Sequence, residues 1–154
     1  MMKTRNLIKL IMSLGICLSA GFIGSLFTSP AVPTWYAGLN KPVYNPPQWI
    51  FGPVWTALYI MMGIAFYLFW KKKAKKAIII FIIQLALNTF WSILFFGLKS
   101  PFLALMDIIL LWVFILATIL TGRKFSQAAS YLLVPYLLWV GYALVLNASI
   151  WLIN

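Results

Sequence analysis

Five stretches of the chain are apolar nearly throughout: Leu7–Phe27, Pro47–Trp70, Ala77–Leu98, Pro101–Gly122 and Ser130–Ile153. Each supplies the roughly 20 residues a helix needs to cross the hydrocarbon core of a bilayer. Polar and charged positions gather between them. The pattern predicts five transmembrane helices and one domain, residues 1–154. Pro53, Pro101 and Pro135 fall in or near first helical turns, where a missing N–H costs little. Connections as short as Lys99-Ser100 force neighbouring spans antiparallel. The fold class read from this pattern is all-α, an integral membrane bundle of five transmembrane helices.

Composition agrees with that reading and narrows the chemistry. The chain is 64% hydrophobic and 8% charged, where a soluble domain carries about 25% charged residues. It has no histidine, and Cys17 is its one cysteine, which removes zinc, histidine-ligated haem and disulfides. The net charge of +11 does not point to nucleic acid, because the basic residues flank apolar spans. Lys3, Arg5 and Lys9, then Lys71, Lys72, Lys73, Lys75 and Lys76, then Arg123 and Lys124 all fall on one side of the predicted bundle. Only Lys41 and Lys99 fall on the other. This asymmetry predicts a cytoplasmic N-terminus, with the C-terminus and the first loop extracytoplasmic, in a bacterial inner membrane. The KKKAKK run sits where anionic lipid headgroups lie, so membrane lipids are expected partners. The first span also has the layout of a signal peptide. However, Ser13, Cys17, Gly21 and Ser25 recur every four residues, as in a retained helix that packs closely on a neighbour. Gly21 and Gly24 suit internal packing and dimerisation equally.

Polar side chains at membrane depth are costly and therefore informative. Gln84, Asn88 and Trp91 share one face of the third span, and Phe95 extends it. Trp139, Ala143 and Asn147 form a similar stripe on the fifth, and Trp55, Tyr59 and Gly63 on the second. Taken singly, each amide reads as an interhelical hydrogen-bonding group. Taken together, the three stripes could wall an apolar pocket with a few polar anchors, the usual composition of a small-molecule site. Asp107, the sole acid, reads as a structural carboxyl bonded to Trp or Tyr donors or to Lys99, since one acid alone makes a poor proton relay. Tyr67, Trp70, Trp112 and Trp151 read as interfacial or lipid-facing.

Residues Trp35–Leu58, WYAGLNKPVYNPPQWIFGPVWTAL, set five tryptophan and tyrosine side chains (Trp35, Tyr36, Tyr44, Trp49 and Trp55) among prolines. Proline stiffens a loop, and the aromatic rings offer broad apolar faces. The segment reads as a rigid lid over a flat, apolar ligand. No phosphate-binding loop, metal cluster, catalytic triad or carboxylate pair is found, and no internal repeat of the kind seen in many transporters.

These motifs resemble the TspO/MBR family of tryptophan-rich sensory and translocator proteins. The resemblance is carried by WYAGLNKPVYNPPQW (Trp35–Trp49), GPVWTALY (Gly52–Tyr59), QLALNTFW (Gln84–Trp91), FFG (Phe95–Gly97), LALMD (Leu103–Asp107) and PYLLWVGYALVLN (Pro135–Asn147). It implies a five-helix bundle, often a homodimer. A cavity under the first loop would take tetrapyrroles such as protoporphyrin IX and isoquinoline- or benzodiazepine-type compounds, with no resident cofactor or metal. By matching position, Tyr36, Pro46 and Trp49 belong to the lid. Trp55, Tyr59, Asn88, Trp91, Trp139, Ala143 and Asn147 line the cavity, which spans one, two, three and five and part of four enclose. Trp55 and Trp139 match tryptophans to which light-dependent oxidative breakdown of the bound porphyrin has been attributed. Transport of porphyrin or lipid is a third reading. Tyr44 stands where tryptophan is common, and Leu103 replaces an aromatic of the animal proteins. Ala148 and Leu152 occupy the tyrosine and arginine positions of the animal cholesterol-recognition segment, so cholesterol transport is not carried over.

Overall fold

The computed structural model describes residues 3–154. The described residues form six α-helices and no strand: α1 (Thr4–Ala31), α2 (Phe51–Lys71), α3 (Lys75–Ser92), α4 (Pro101–Gly122), α5 (Gln127–Leu132) and α6 (Val134–Ile153). Five helical segments are long and apolar enough to cross a membrane: Thr4–Ala31, Gln48–Lys71, Lys75–Gly97, Pro101–Gly122 and Gln127–Ile153. The protein is an integral membrane protein. Its outward face is apolar along whole helices. Leu7, Ile8, Ile11, Phe22 and Leu26 of α1 are exposed, as are Met106, Leu110 and Val113 of α4, a surface only lipid can cover cheaply.

The helices pack in a ring. α1 lies against α2 and α3, α3 against α4, α4 against α6, and α5 against α2, which closes the circle. Small residues set the closest approaches. A Cβ added at Gly63 would come 2.9 Å from the Leu14 Cα, and one at Gly21 would meet the Tyr59 ring at 2.5 Å. Ser13 and Cys17 are fully buried in the same seam. Gly24 faces the Ser92 hydroxyl on α3. Both Gly21 and Gly24 therefore serve internal packing.

Three local departures from straight helices shape the interior. The fifth span is broken: α5 ends at Leu132 and α6 starts at Val134. Pro135 in the first turn of α6 cannot donate to the preceding turn, so the apolar run that reads as one helix is two. The third span ends in a π-helical turn, Ile93–Gly97, closed by the Leu98 N–H donating to the Ile93 carbonyl at 2.8 Å. The second span opens with a single 3₁₀ turn, Gln48–Ile50, ahead of α2. Tyr67, expected at the lipid boundary, is buried.

Every basic residue between α2 and α3 faces outward. Lys73 takes a left-handed conformation (φ 54°), the position after a helix that favours glycine. The turn buries Ala74 completely and leaves the flanking lysines exposed. Lys9 of α1 sits over the Trp70 ring at 5.4 Å. The first loop is at the other end of the bundle, with the C-terminus: the Asn154 side chain accepts from the Asn40 N–H (3.0 Å) and donates to the Asn40 carbonyl (2.9 Å).

Candidate ligand cavity

Beneath the first loop the ring encloses a cavity of about 570 Å³. α1, the start of the second span, α3 with its π turn, and α6 line it. α4 contributes no lining residue, contrary to the expectation that part of it would. It packs outside, on α3 and α6, and reaches the site only through the Pro101 carbonyl.

The roof is aromatic. Tyr36, in a 3₁₀ turn at Tyr36–Gly38, is 3% exposed and lines the cavity. Its hydroxyl donates to Asn45 Oδ1 at 2.7 Å, and Lys41 Nζ lies 4.9 Å from its ring centre. Burial raises the Tyr36 pKa above the usual phenol value, so the group remains a neutral donor. The π turn brings Phe95 and Phe96 under this loop. Trp35 meets Phe95 edge-on at 5.5 Å and Tyr36 lies 5.8 Å from Phe96, spacings at which ring pairs attract. Insertion of a π turn at a functional position is a recurrent device. Gly97 makes room for it, because a Cβ there would press on Phe27 at 2.8 Å.

The walls carry the aromatic and amide stripes. Trp55 stacks on Tyr59 at 5.7 Å, and Trp91 on Phe95 at 5.2 Å. Tyr59 donates to Asn88 Oδ1. Asn88 Nδ2 donates to the Tyr136 hydroxyl and Tyr136 to Gln84 Oε1, both at 2.8 Å. This chain ties α2, α3 and α6 together through buried groups. A second chain runs from Trp91 Nε1 to Asn147 Oδ1 (2.9 Å) and from Asn147 Nδ2 to the Pro101 carbonyl (2.8 Å). The amides are thus held by neighbouring helices and also face the cavity. Trp139 is different. Its indole N–H is buried and has no partner among the described residues, although the ring lines the cavity. A buried donor left unpaired costs about 1–3 kcal/mol, so the site contains one donor that a ligand acceptor could satisfy.

Of the ten residues expected at the site, Tyr36, Trp55, Tyr59, Asn88, Trp91, Trp139, Ala143 and Asn147 line the cavity. Pro46 and Trp49 belong to the loop but do not reach it. Successive side chains of a 3₁₀ turn point about 120° apart. Gln48 faces the cavity, so Trp49 faces away and is 74% exposed. Tyr142 lines the cavity unanticipated and donates to the Tyr44 carbonyl. Tyr136, fully buried at the centre of the polar chain, was equally unmarked. Its spacing, three residues before Trp139 and seven before Ala143, is the signal that places it on their stripe. Asp107 is buried on α4, away from the cavity lining, and its Oδ2 has no hydrogen-bond partner among the described residues.

A bundle of five membrane spans with a roofed aromatic cavity at one end defines a class of receptor-like membrane proteins. Comparison with known sequences then gives the family. The TspO/MBR family model matches residues 13–152, and the chain belongs to that family. It is 46% identical to the tryptophan-rich protein TspO of Chlorobaculum tepidum, over 97% of this chain and 98% of the relative. It is 40% identical to the human translocator protein, over 84% and 80%. The tryptophan-rich sensory protein of Cereibacter sphaeroides is 39% identical over 73% and 72%. Membership supports a receptor-like role in the membrane.

Proposed function

We propose that the protein binds a flat, largely apolar aromatic molecule in this cavity. A tetrapyrrole such as protoporphyrin IX is the first candidate, and isoquinoline- or benzodiazepine-type compounds are further ligands. The observation that carries the reading is the cavity itself: about 570 Å³, within the range of about 300–1,000 Å³ typical of small-molecule sites. Stacked and edge-on rings wall it, and its polar groups are few and mostly paired. Indole and phenol faces suit a conjugated macrocycle, and Trp139 Nε1 offers one free donor to an acceptor on it. The reading puts the cavity on the extracytoplasmic side of a bacterial inner membrane, with the ten clustered basic residues in the cytoplasm, as basic residues generally distribute.

A second reading rests on the position of two oxidisable rings in the same wall. Trp55 and Trp139 both line the cavity. Trp55 continues into Tyr59, and Trp139 lies 5.6 Å from Tyr142. Under light, with dioxygen as oxidant, a bound porphyrin could be oxidised beside them. The test is a titration of the purified protein with protoporphyrin IX in the dark, following tryptophan quenching, then illumination of the same sample. Saturable quenching with an unaltered porphyrin spectrum supports binding alone. Loss of the spectrum in light and oxygen, absent in Trp55→Phe or Trp139→Phe, supports photo-oxidation. Quenching that never saturates overturns both.

A further inference from the structure

We infer that ligands reach this cavity sideways from the bilayer, through a gap between α1 and the beginning of α2, and not through the loop. The inference rests on the binding reading above.

The loop is fastened to α6 at several points. Tyr142 donates to the Tyr44 carbonyl, the Tyr44 hydroxyl is bonded to Ser149 Oγ, and Asn154 brackets the Asn40 backbone with two hydrogen bonds. Beneath it, Trp35 and Tyr36 rest on Phe95 and Phe96. Lifting the loop would break these contacts together.

The α1–α2 seam behaves differently along its length. At its deep end it is shut: Gly63 lies on the Leu14 backbone, and Gly21 on the Tyr59 ring. Toward the loop the two helices leave a space. A Cβ added at Gly52 would meet nothing within 4 Å. Phe22 of α1 is 66% exposed and yet borders the cavity. Gly52 and Thr56 on α2 are likewise exposed and border it. A residue that faces both the interior and the outside marks an opening. This one lies within the apolar part of two spans, so what faces it is lipid. At its loop end the edge turns polar, with Ser29 and Gln48. The opening therefore suits an amphiphilic, flat molecule already dissolved in the membrane. Its apolar body slides in between Phe22 and Gly52 while its polar group stays near Ser29 and Gln48 at the interface.

Phe22, Gly52 and Thr56 border the cavity as well as the opening, so the route is read from the exchange rates and not from Kd. The full-length protein in lipid nanodiscs is mixed with protoporphyrin IX in the dark, and tryptophan quenching is followed by stopped flow. Gly52→Leu and, separately, Thr56→Leu narrow the opening. Each is expected to slow both association and dissociation by about tenfold. Phe22→Ala should speed both. Asn154→Ala with Ser149→Ala removes three of the four hydrogen bonds that tie the loop to α6, which loosens the loop, and should leave both rates as they are. Faster exchange on loosening the loop, with no effect of the seam variants, would overturn the lateral route. Absence of saturable binding by the wild-type protein would overturn the binding reading, and the route with it.

Discussion

Trp91 and Trp139 line one cavity, but the structure gives their indole nitrogens opposite circumstances. Trp91 Nε1 donates to Asn147 Oδ1 at 2.9 Å, whereas Trp139 Nε1 is buried and unpaired among the described residues. Replacing each by phenylalanine removes the same atoms, so the loss of ring surface is similar in the two variants. The difference reports the nitrogen. Trp91→Phe deletes a hydrogen bond between helices, worth about 0.6–1.7 kcal/mol in a membrane bundle, and leaves Asn147 Oδ1 without its donor. Trp139→Phe removes a buried donor that gains nothing, which relieves a penalty of about 1 kcal/mol. The gap between the variants is then about 2 kcal/mol in favour of Trp139→Phe, or about 4–8 °C in Tm for a chain of this length. The chain supplies its own reporter: Cys17 is the one cysteine and is fully buried. A thiol-reactive fluorophore will label it only as the bundle opens. Thermal scans without ligand in one detergent measure the gap. Equal midpoints, or a lower midpoint for Trp139→Phe, would refute the assignment of paired and unpaired nitrogens.

The packing yields three more expected outcomes. Gly63→Ala places a methyl 2.9 Å from the Leu14 Cα, a backbone contact that cannot yield cheaply. It should cost about 1–3 kcal/mol, whereas Gly52→Ala, with open space around it, should be neutral or stabilising by up to about 1 kcal/mol; thiol-labelling scans separate the two. Asn154→Ala removes both bonds to Asn40 and should raise protease cleavage and amide exchange within residues 38–47 without lowering the midpoint of the bundle. Asn88→Leu cuts the chain between Tyr59 and Tyr136 and strands a buried hydroxyl, lowering stability by about 1–3 kcal/mol; no shift would show that the chain contributes nothing.

The spans were legible because an unbroken apolar run of about twenty residues matches the thickness of a bilayer and little else. All ten expected site residues lie on the stripes and motifs that mark them, and eight of them line the cavity. What the pattern did not reveal is local geometry. Hydrophobicity runs through Leu132, Leu133 and Val134 without a mark, so the break ahead of Pro135 reads as a continuous helix. The π turn at Ile93–Gly97 shifts the helical phase after Trp91. A regular period therefore cannot show that both Phe95 and Phe96 turn under the loop. Trp49 misleads for a related reason: residue type marks it for a lid, while a single 3₁₀ turn aims it outward. The absence of α4 from the lining depends on the circular order of the helices, which short connections alone do not fix. Tyr142 is an aromatic on an apolar helix until its contact with Tyr44 is seen.

The central claim is that a flat aromatic ligand occupies the cavity between α1, α2, α3 and α6. Ala143 lines that space with a single methyl group, so Ala143→Phe fills part of it. Equilibrium titration of this variant and the wild type with protoporphyrin IX in the dark, beside their thermal midpoints, tests the claim most directly. The account predicts saturable binding by the wild type, affinity lowered about tenfold or more in Ala143→Phe, and midpoints within a few degrees of each other. Equal affinity in a folded Ala143→Phe protein would place the ligand elsewhere.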